Sequence, residues 1–346
     1  MENGKKNLLI LVVFGLLGIV FLTMLTATFY SYVLKQSGVE HAENAQTYRY
    51  HYVMIIDDLD SQFWKDVYES VQKEAARNDA YVELKGRNQS SEYNVVDFMD
   101  MSIAAKVDGI LLEFTGEPCL EERINEATDQ GIPVVTLLND APTTKRKSYI
   151  GINSYELGLL YGNQILNILP KNRSHARVMM LLHDNSIASS QSQIYKQINN
   201  RMVTSKETKG RIKSEVIKVP SGRAFESEEI VRNLFQNAQG PPNIILCMDE
   251  VDTEAVYQAV IDYNCVGQTQ VIGYYKSKAT LDAVRKGTMA MTLCIDTRQM
   301  GVYSVQALTE SIKDGRTNSF YSVDLQFVTK ENALEFIRNQ RSVYEK

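Results

Sequence analysis

Histidine is scarce in this 346-residue chain, which has His41, His51, His175 and His183. The last opens the run His183-Asp184-Asn185-Ser186, a base, an acid and a hydroxyl in succession. A catalytic triad needs those groups to converge from separate elements, and sequence neighbours do not reach that geometry. The run therefore reads as a loop lining a cleft. Asp57, Asp58 and Asp60 could offer oxygens to a calcium ion, but the spacing of an EF-hand does not follow. A solvated, helix-capping cluster is the alternative. No His-Glu-x-x-His, Gly-x-Ser-x-Gly or Walker-type glycine loop occurs, so neither an enzymatic activity nor a cofactor is expected. The four cysteines form no C-x-x-C pair. Cys247 and Cys294 sit in apolar runs and read as buried free thiols. Cys119 and Cys265 lie near loops and pair only if the fold brings them together.

These residues must be carried by elements, and the chain alternates between two kinds. Short apolar runs begin with Val53-Met54-Ile55-Ile56 and recur at 81–84, 107–112, 132–138 and 149–152. A second set falls near 176–182, 215–219, 243–248, 270–275 and 289–295. Between them lie helical patterns. Ser61 can cap a helix whose Phe63, Trp64, Val67, Tyr68 and Val71 share one face. Further helices are predicted over 95–105, 120–130, 154–169, 188–203, 224–238, 250–263, 278–286 and 298–313, several closed by Gly. Continuous apolar strands separated by helices imply parallel sheets covered on both faces, and two sets imply two α/β lobes. Ligands of such sheets bind beyond the carboxyl ends of the strands, so the residues just after each strand are the ones to inspect.

The amino-terminal end has a different character. Residues 8–30 carry no charge and, as a helix, reach roughly 34 Å, enough to span a hydrocarbon core. Lys5 and Lys6 before it place residues 1–7 in the cytoplasm and the body outside. The run is longer than a signal-peptide core, which favours an uncleaved signal-anchor over a cleaved leader. Residues 31–50 are polar and aperiodic, a tether. The net charge is −5 and the basic stretch is only Lys145-Arg146-Lys147, a solvated turn, so nucleic acid is not an expected partner.

Seven pieces in order carry a resemblance. They are Met54-Ile55-Ile56-Asp57 with the following helix start, Val107-Asp108-Gly109-Ile110, Gln130-Gly131-Ile132-Pro133-Val134, and Tyr149-Ile150-Gly151-Ile152-Asn153. The second half adds Ile245-Leu246-Cys247-Met248-Asp249-Glu250, Val271-Ile272-Gly273-Tyr274 and Val284-Arg285-Lys286-Gly287. Residues 52–315 thus resemble the ribose- and galactose-type periplasmic solute-binding proteins, which share their fold with the ligand-binding cores of lac-repressor-like regulators. The resemblance implies two doubly wound parallel-sheet lobes with a hinge and a ligand cleft. The amino-terminal lobe would take 51–152 and 297–322, the carboxy-terminal lobe 153–296 and 323–336, and 337–346 would be a tail. Crossings are expected near 152–155, 295–298 and 320–325.

It also implies ligand positions. The first loop corresponds to Ser61, Phe63 and Trp64, whose aromatic rings either face a sugar or belong to the core. Elsewhere the family's polar groups are replaced: Leu138-Asn139 stands for Asp-Arg, Gln191 for Arg, Met248 for Asn before Asp249, Tyr275 for Asp after Tyr274, and Ile295 for Gln. A register shift would bring in Asp140 or Asp296, which otherwise belong to a loop and a helix cap. The implied site is apolar and aromatic with a few polar handles. The expected function is a membrane-anchored, extracytoplasmic binding protein for a sugar or sugar-like solute, closing its lobes and serving an ABC permease. The alternative is a ligand-sensing accessory of a membrane histidine kinase. A lac-repressor-like regulator would need a DNA-binding helix-turn-helix where this chain has an apolar span.

Overall fold

The computed structural model describes residues 15–26, 28, 47–87, 92–169, 175–183, 190–205, 211–219 and 224–344. The chain divides into two compact units, residues 1–48 and 49–346. In the first, residues 15–26 are helical and exposed. Among the described residues no helix is long and apolar enough to cross a membrane. Much of the expected span, residues 8–14, 27, 29 and 30, and the tether through residue 46 lie outside the described residues.

The second unit holds two six-stranded sheets. In the first, β1 (Tyr50–Asp58), β2 (Ala80–Arg87), β3 (Gly109–Glu113), β4 (Val134–Leu137), β5 (Ser148–Gly151) and β11 (Phe320–Ser322) run parallel in the order β11-β5-β4-β3-β1-β2. The second contains β6 (Ala176–His183), β7 (Ile212–Val219), β8 (Ile244–Leu246), β9 (Gln270–Tyr274), β10 (Met291–Ile295) and β12 (Leu325–Thr329), in the order β12-β10-β9-β8-β6-β7. Met54 and Ile55 of β1 are fully buried although they point to opposite faces, because helices cover both sides.

On the first sheet, α1 (Gln62–Arg77) and α9 (Thr297–Asp314) cover one face, α2 (Val95–Ala104) and α3 (Pro118–Asp129) the other. On the second, α4 (Ser154–Ile168) and α5 (Ser190–Thr204) oppose α6 (Ala224–Gln236), α7 (Glu250–Asp262) and α8 (Lys278–Lys286). Local chemistry sets the ends. Asn94 and Asp97 form a capping box for α2, and Asp296 caps α9, whose far end stops at the left-handed Gly315. One core cluster runs without interruption from Met54 of the first sheet to Met180 and Ile272 of the second.

The chain passes between the sheets three times, after β5, after β10 and between β11 and β12. The last crossing corrects the expectation of a purely parallel second sheet: β12 is antiparallel to β10. Ser322 pairs with Gly151 at the carboxyl end of β5, and Leu325 pairs with Ile295 at the carboxyl end of β10. A chain that enters the second sheet from that edge can only run away from it. Residues 337–344, placed in a tail on sequence grounds, continue α10 (Ala333–Tyr344), whose Phe336 and Ile337 pack against the second lobe's outer core.

Helices α1 and α9 meet closely. A Cβ on Gly301 would lie 2.5 Å from Ser70 Cβ and 2.8 Å from the Val71 backbone nitrogen. Gly301→Ala is expected to destabilise the protein by roughly 1–3 kcal/mol, read by urea unfolding. A variant as stable as the parent would show that the helices have room to spare.

Candidate functional site

The carboxyl ends of the parallel strands of both sheets face one cleft, and two strained residues mark it. Leu138, directly after β4, has φ +63°, and Tyr275, directly after β9, has φ +68°. Left-handed backbone costs a non-glycine residue about 1–3 kcal/mol unless its surroundings enforce it. Here they do. The Leu138 N–H donates to the Ile150 carbonyl at 2.9 Å, and its carbonyl accepts from the Tyr149 hydroxyl at 2.9 Å. The Tyr275 N–H donates to the Leu293 carbonyl at 2.7 Å, and its carbonyl accepts from Thr292 Oγ1 at 2.7 Å. Each lobe thus fixes one sharp turn at the same place on its sheet.

Between the turns lies a cavity of about 60 Å³. Six of the residues selected from sequence line it: Leu138 and Asn139 from the first lobe, and Gln191, Met248, Tyr274 and Ile295 from the second. Sequence reasoning missed Ile152, Ser154, Leu157 and Tyr161 along the first crossing, and Ile194 on α5, which complete the wall. Among the described residues the buried Tyr274 hydroxyl has no hydrogen-bond partner, which leaves a donor available inside the cavity. Among the described residues the lining holds no cationic or anionic side chain.

The other five selected residues do not line this cavity. Phe63 and Trp64 are 2% and 4% exposed and belong to the core cluster, and Tyr275 is 1% exposed. Phe63 sits edge-on to Trp64 at 4.9 Å and to Tyr275 at 5.2 Å, and 6.0 Å from Tyr274. The aromatics of the two lobes therefore contact each other. The Tyr275 hydroxyl donates to Asp66 on α1. Ser61 caps α1 and donates its hydroxyl to Glu250 Oε2 at 2.7 Å, across the cleft. Asp249 caps α7, accepting from the Val251 N–H at 2.7 Å.

Two carboxyls that sequence reasoning passed over stand at this junction. Glu250 Oε2 also accepts the Phe63 backbone N–H at 3.2 Å. Burial pushes its pKa up to about 7, helped by the charges of Asp249 and Glu254 and opposed by the bonds from Ser61 and Phe63. Glu113, closing β3, accepts the Asp57 N–H at 2.7 Å and a hydrogen bond from the Trp64 side chain. Burial raises it to about 8, with Asp57 and Asp249 adding. Glu113 ends a strand and Glu250 follows a helix cap, positions close to the strand ends but with no local mark of their neighbours across the cleft.

The remaining polar candidates have structural partners. Asp57 pairs with Arg87 at 2.8 Å, and Asp58 accepts the Asp60 N–H at 2.8 Å. Among the described residues no group of His, Cys, Asp and Glu could hold a metal ion. Asp140 pairs with Arg146, whose Nη1 also donates to the Ser319 carbonyl at 3.0 Å, so part of the basic turn is structural. Asp296 caps α9, donated to by the Gln299 N–H at 2.9 Å. All four cysteines are free, with Cys119 exposed and Cys247, Cys265 and Cys294 buried. Asp184, Asn185 and Ser186 lie outside the described residues.

The family described as "Periplasmic binding protein domain" matches residues 52–317. No curated protein matches the chain. Among solved structures, GanP, a glucose-galactose binding protein from Geobacillus stearothermophilus, is similar at 23% identity and a TM-score of 0.72, over 82% of this chain and 98% of its own. A XylFII–LytSN complex matches at 22% identity and TM-score 0.70, over 81% of this chain and 98% of that one. A sugar ABC transporter sugar-binding protein from Bacillus halodurans matches at 21% and 0.68, over 82% and 98%. At these identities what is shared is the fold.

If Phe63 is part of the interlobe core, Phe63→Ala should cost roughly 3–5 kcal/mol of unfolding free energy, the cost of an aromatic cavity. A loss well under that range in denaturant titration would mean that the ring is an exposed pocket wall.

Proposed function

The chain belongs to the periplasmic binding protein domain family, and on that premise we propose that it is a membrane-anchored, extracytoplasmic solute-binding protein. The carrying observation is the shared cavity: Leu138 and Asn139 from one lobe meet Gln191, Met248, Tyr274 and Ile295 from the other. A solute held there touches both lobes only when they are closed, so it stabilises closure by differential contact. The solute is a sugar or sugar-like small molecule. Asn139, Gln191 and the Tyr274 hydroxyl take its polar groups, and the apolar walls take its carbon face. At about 60 Å³ the closed cavity is smaller than such a ligand, so entry requires the lobes to part. No catalytic step is part of this reading.

The uncharged residues 8–30 support the anchor in the bilayer, with the body outside. The partner is an ABC permease that receives the solute from the closed form. A second reading, docking on a membrane histidine kinase, draws support from the XylFII–LytSN complex, in which a protein of this fold assembles with another protein. Uptake of labelled solute by cells with and without the chain separates the two, since only the transport role requires uptake to fall.

The test of binding is thermal unfolding of the full chain in detergent with pentoses, hexoses, polyols and small apolar metabolites. A solute that binds only the folded form stabilises it by about 2.7 kcal/mol at a hundred times its dissociation constant. Asn139→Ala and Gln191→Ala should each weaken that solute about tenfold, one lost buried hydrogen bond. A solute whose shift survives both changes binds elsewhere. No shift across the panel removes the sugar reading.

A further inference from the structure

Where the lobes meet, the Tyr275 hydroxyl bonds Asp66, and two further hydrogen bonds run to a second acid. Glu250, the first residue of α7, takes the Ser61 hydroxyl at 2.7 Å and the Phe63 N–H at 3.2 Å, both at the amino end of α1 in the opposite lobe. Glu113 stands on the first lobe's side of the junction, with Tyr274 near both acids. It is bonded by the Asp57 N–H at 2.7 Å and by Trp64, and it feels Asp249 across the cleft. Among the described residues the groups around the two are acidic or neutral. Asp249 and Glu254 flank Glu250, Asp57 neighbours Glu113, and Tyr274 faces both, while Tyr275 faces Glu250. The cations nearby are engaged elsewhere. Arg87 pairs with Asp57 at 2.8 Å, and Lys276 lies over the Tyr275 ring at 5.8 Å. Among the described residues neither Glu113 nor Glu250 forms an ion pair. The aromatic contacts of Phe63 with Tyr274 and Tyr275 pack across the same junction.

We propose that Glu250 and Glu113 form a proton-dependent latch: with both protonated the lobes close on each other without solute, and ionisation of the pair releases them. This rests on the reading of lobe closure as the working motion and adds its regulation. A protonated Glu250 keeps a carbonyl oxygen to accept from Ser61 and Phe63. An ionised pair, held beside Asp249 with no paired cation among the described residues, gains by opening into solvent.

The direction follows from linkage. In the closed cleft the two groups stand at about 7 and about 8, against 4.5 ordinarily. Opening returns them towards the ordinary value, so the closed form binds more protons. Closure is fully favoured below about pH 4.5 and is lost as pH rises through about 7 to 8. In the window between, opening releases up to two protons, and its equilibrium constant rises up to about a hundredfold per pH unit.

Trp64 is the chain's only tryptophan, is 4% exposed and bonds Glu113, so it reports on this junction. The experiment follows its emission maximum and its quenching by acrylamide, on the solute-free full chain in detergent, from about pH 5 to about pH 9. The parent should show a blue-shifted, poorly quenched Trp64 in acid and a red-shifted, readily quenched one above about pH 8. Acrylamide separates opening from a change at Glu113 alone, which alters emission without admitting quencher. Glu113→Gln/Glu250→Gln should remain unquenched throughout, with circular dichroism checking its fold. If that variant does not fold, Glu250→Gln decides, because one titrating group limits the response to about tenfold per pH unit. A parent unquenched across the range, or a variant that opens with the parent's midpoint and steepness, overturns the latch. No solute is present, so a failed solute panel and a failed latch are separate results.

Discussion

A carboxyl taken out of water must be given hydrogen bonds or a proton, and the junction between the lobes is organised around that requirement. Glu250 obtains two donors, but both come from the other lobe. They are available because Ser61 caps α1 and leaves the first N–H groups of that helix pointing into the cleft. The position of α1 depends in turn on α9, which approaches close enough at Gly301 to exclude a side chain. And α9 begins at a crossing, capped by Asp296. The acid in one lobe is thus coupled through a helix end and a helix pair to the connection that lets the lobes move.

The strained turns at Leu138 and Tyr275 serve the same junction from the backbone side. Each is held by a buried hydroxyl on its carbonyl, so the strain is stored in a rigid part of each sheet rather than in a loop. One turn places Asn139 at the cavity, and the other directs Tyr275 away from it, towards Asp66. The two lobes therefore share a device and use it differently. The first presents a polar side chain to the cavity, and the second turns an aromatic into the contact that closes the cleft.

Much of the fold was legible because strands such as β1 are buried on both faces and announce themselves as unbroken apolar runs. The three-residue β11 and the half-exposed β12 lie at sheet edges, carry no such run, and left no sign in the sequence. The site divides along a similar line. Asn139 and Met248 follow strands and Ile295 ends one, where the architecture puts binding groups, and they reach the cavity. Tyr161 and Ile194 sit on helices, where an apolar residue facing a cavity has the same spacing as one facing the core. Phe63 and Trp64 show that ambiguity from the other side: their helical spacing fits both readings, and the core took them. Glu113 and Glu250 look like ordinary acids at a strand end and a helix start. What makes them unusual is a neighbour from the opposite lobe, which no local pattern records.

The routing of the chain has a mechanical consequence. The body begins at β1, one strand in from the β2 edge of the first sheet, and finishes with α10, packed on the second. Tension between those two ends cannot be borne within either sheet. It passes through the three crossing segments, which share the load side by side, and it pulls against the interlobe seam before it strains any strand. The separation of residues 50 and 344 is therefore a lever arm for the seam, and a pull along it adds work to opening.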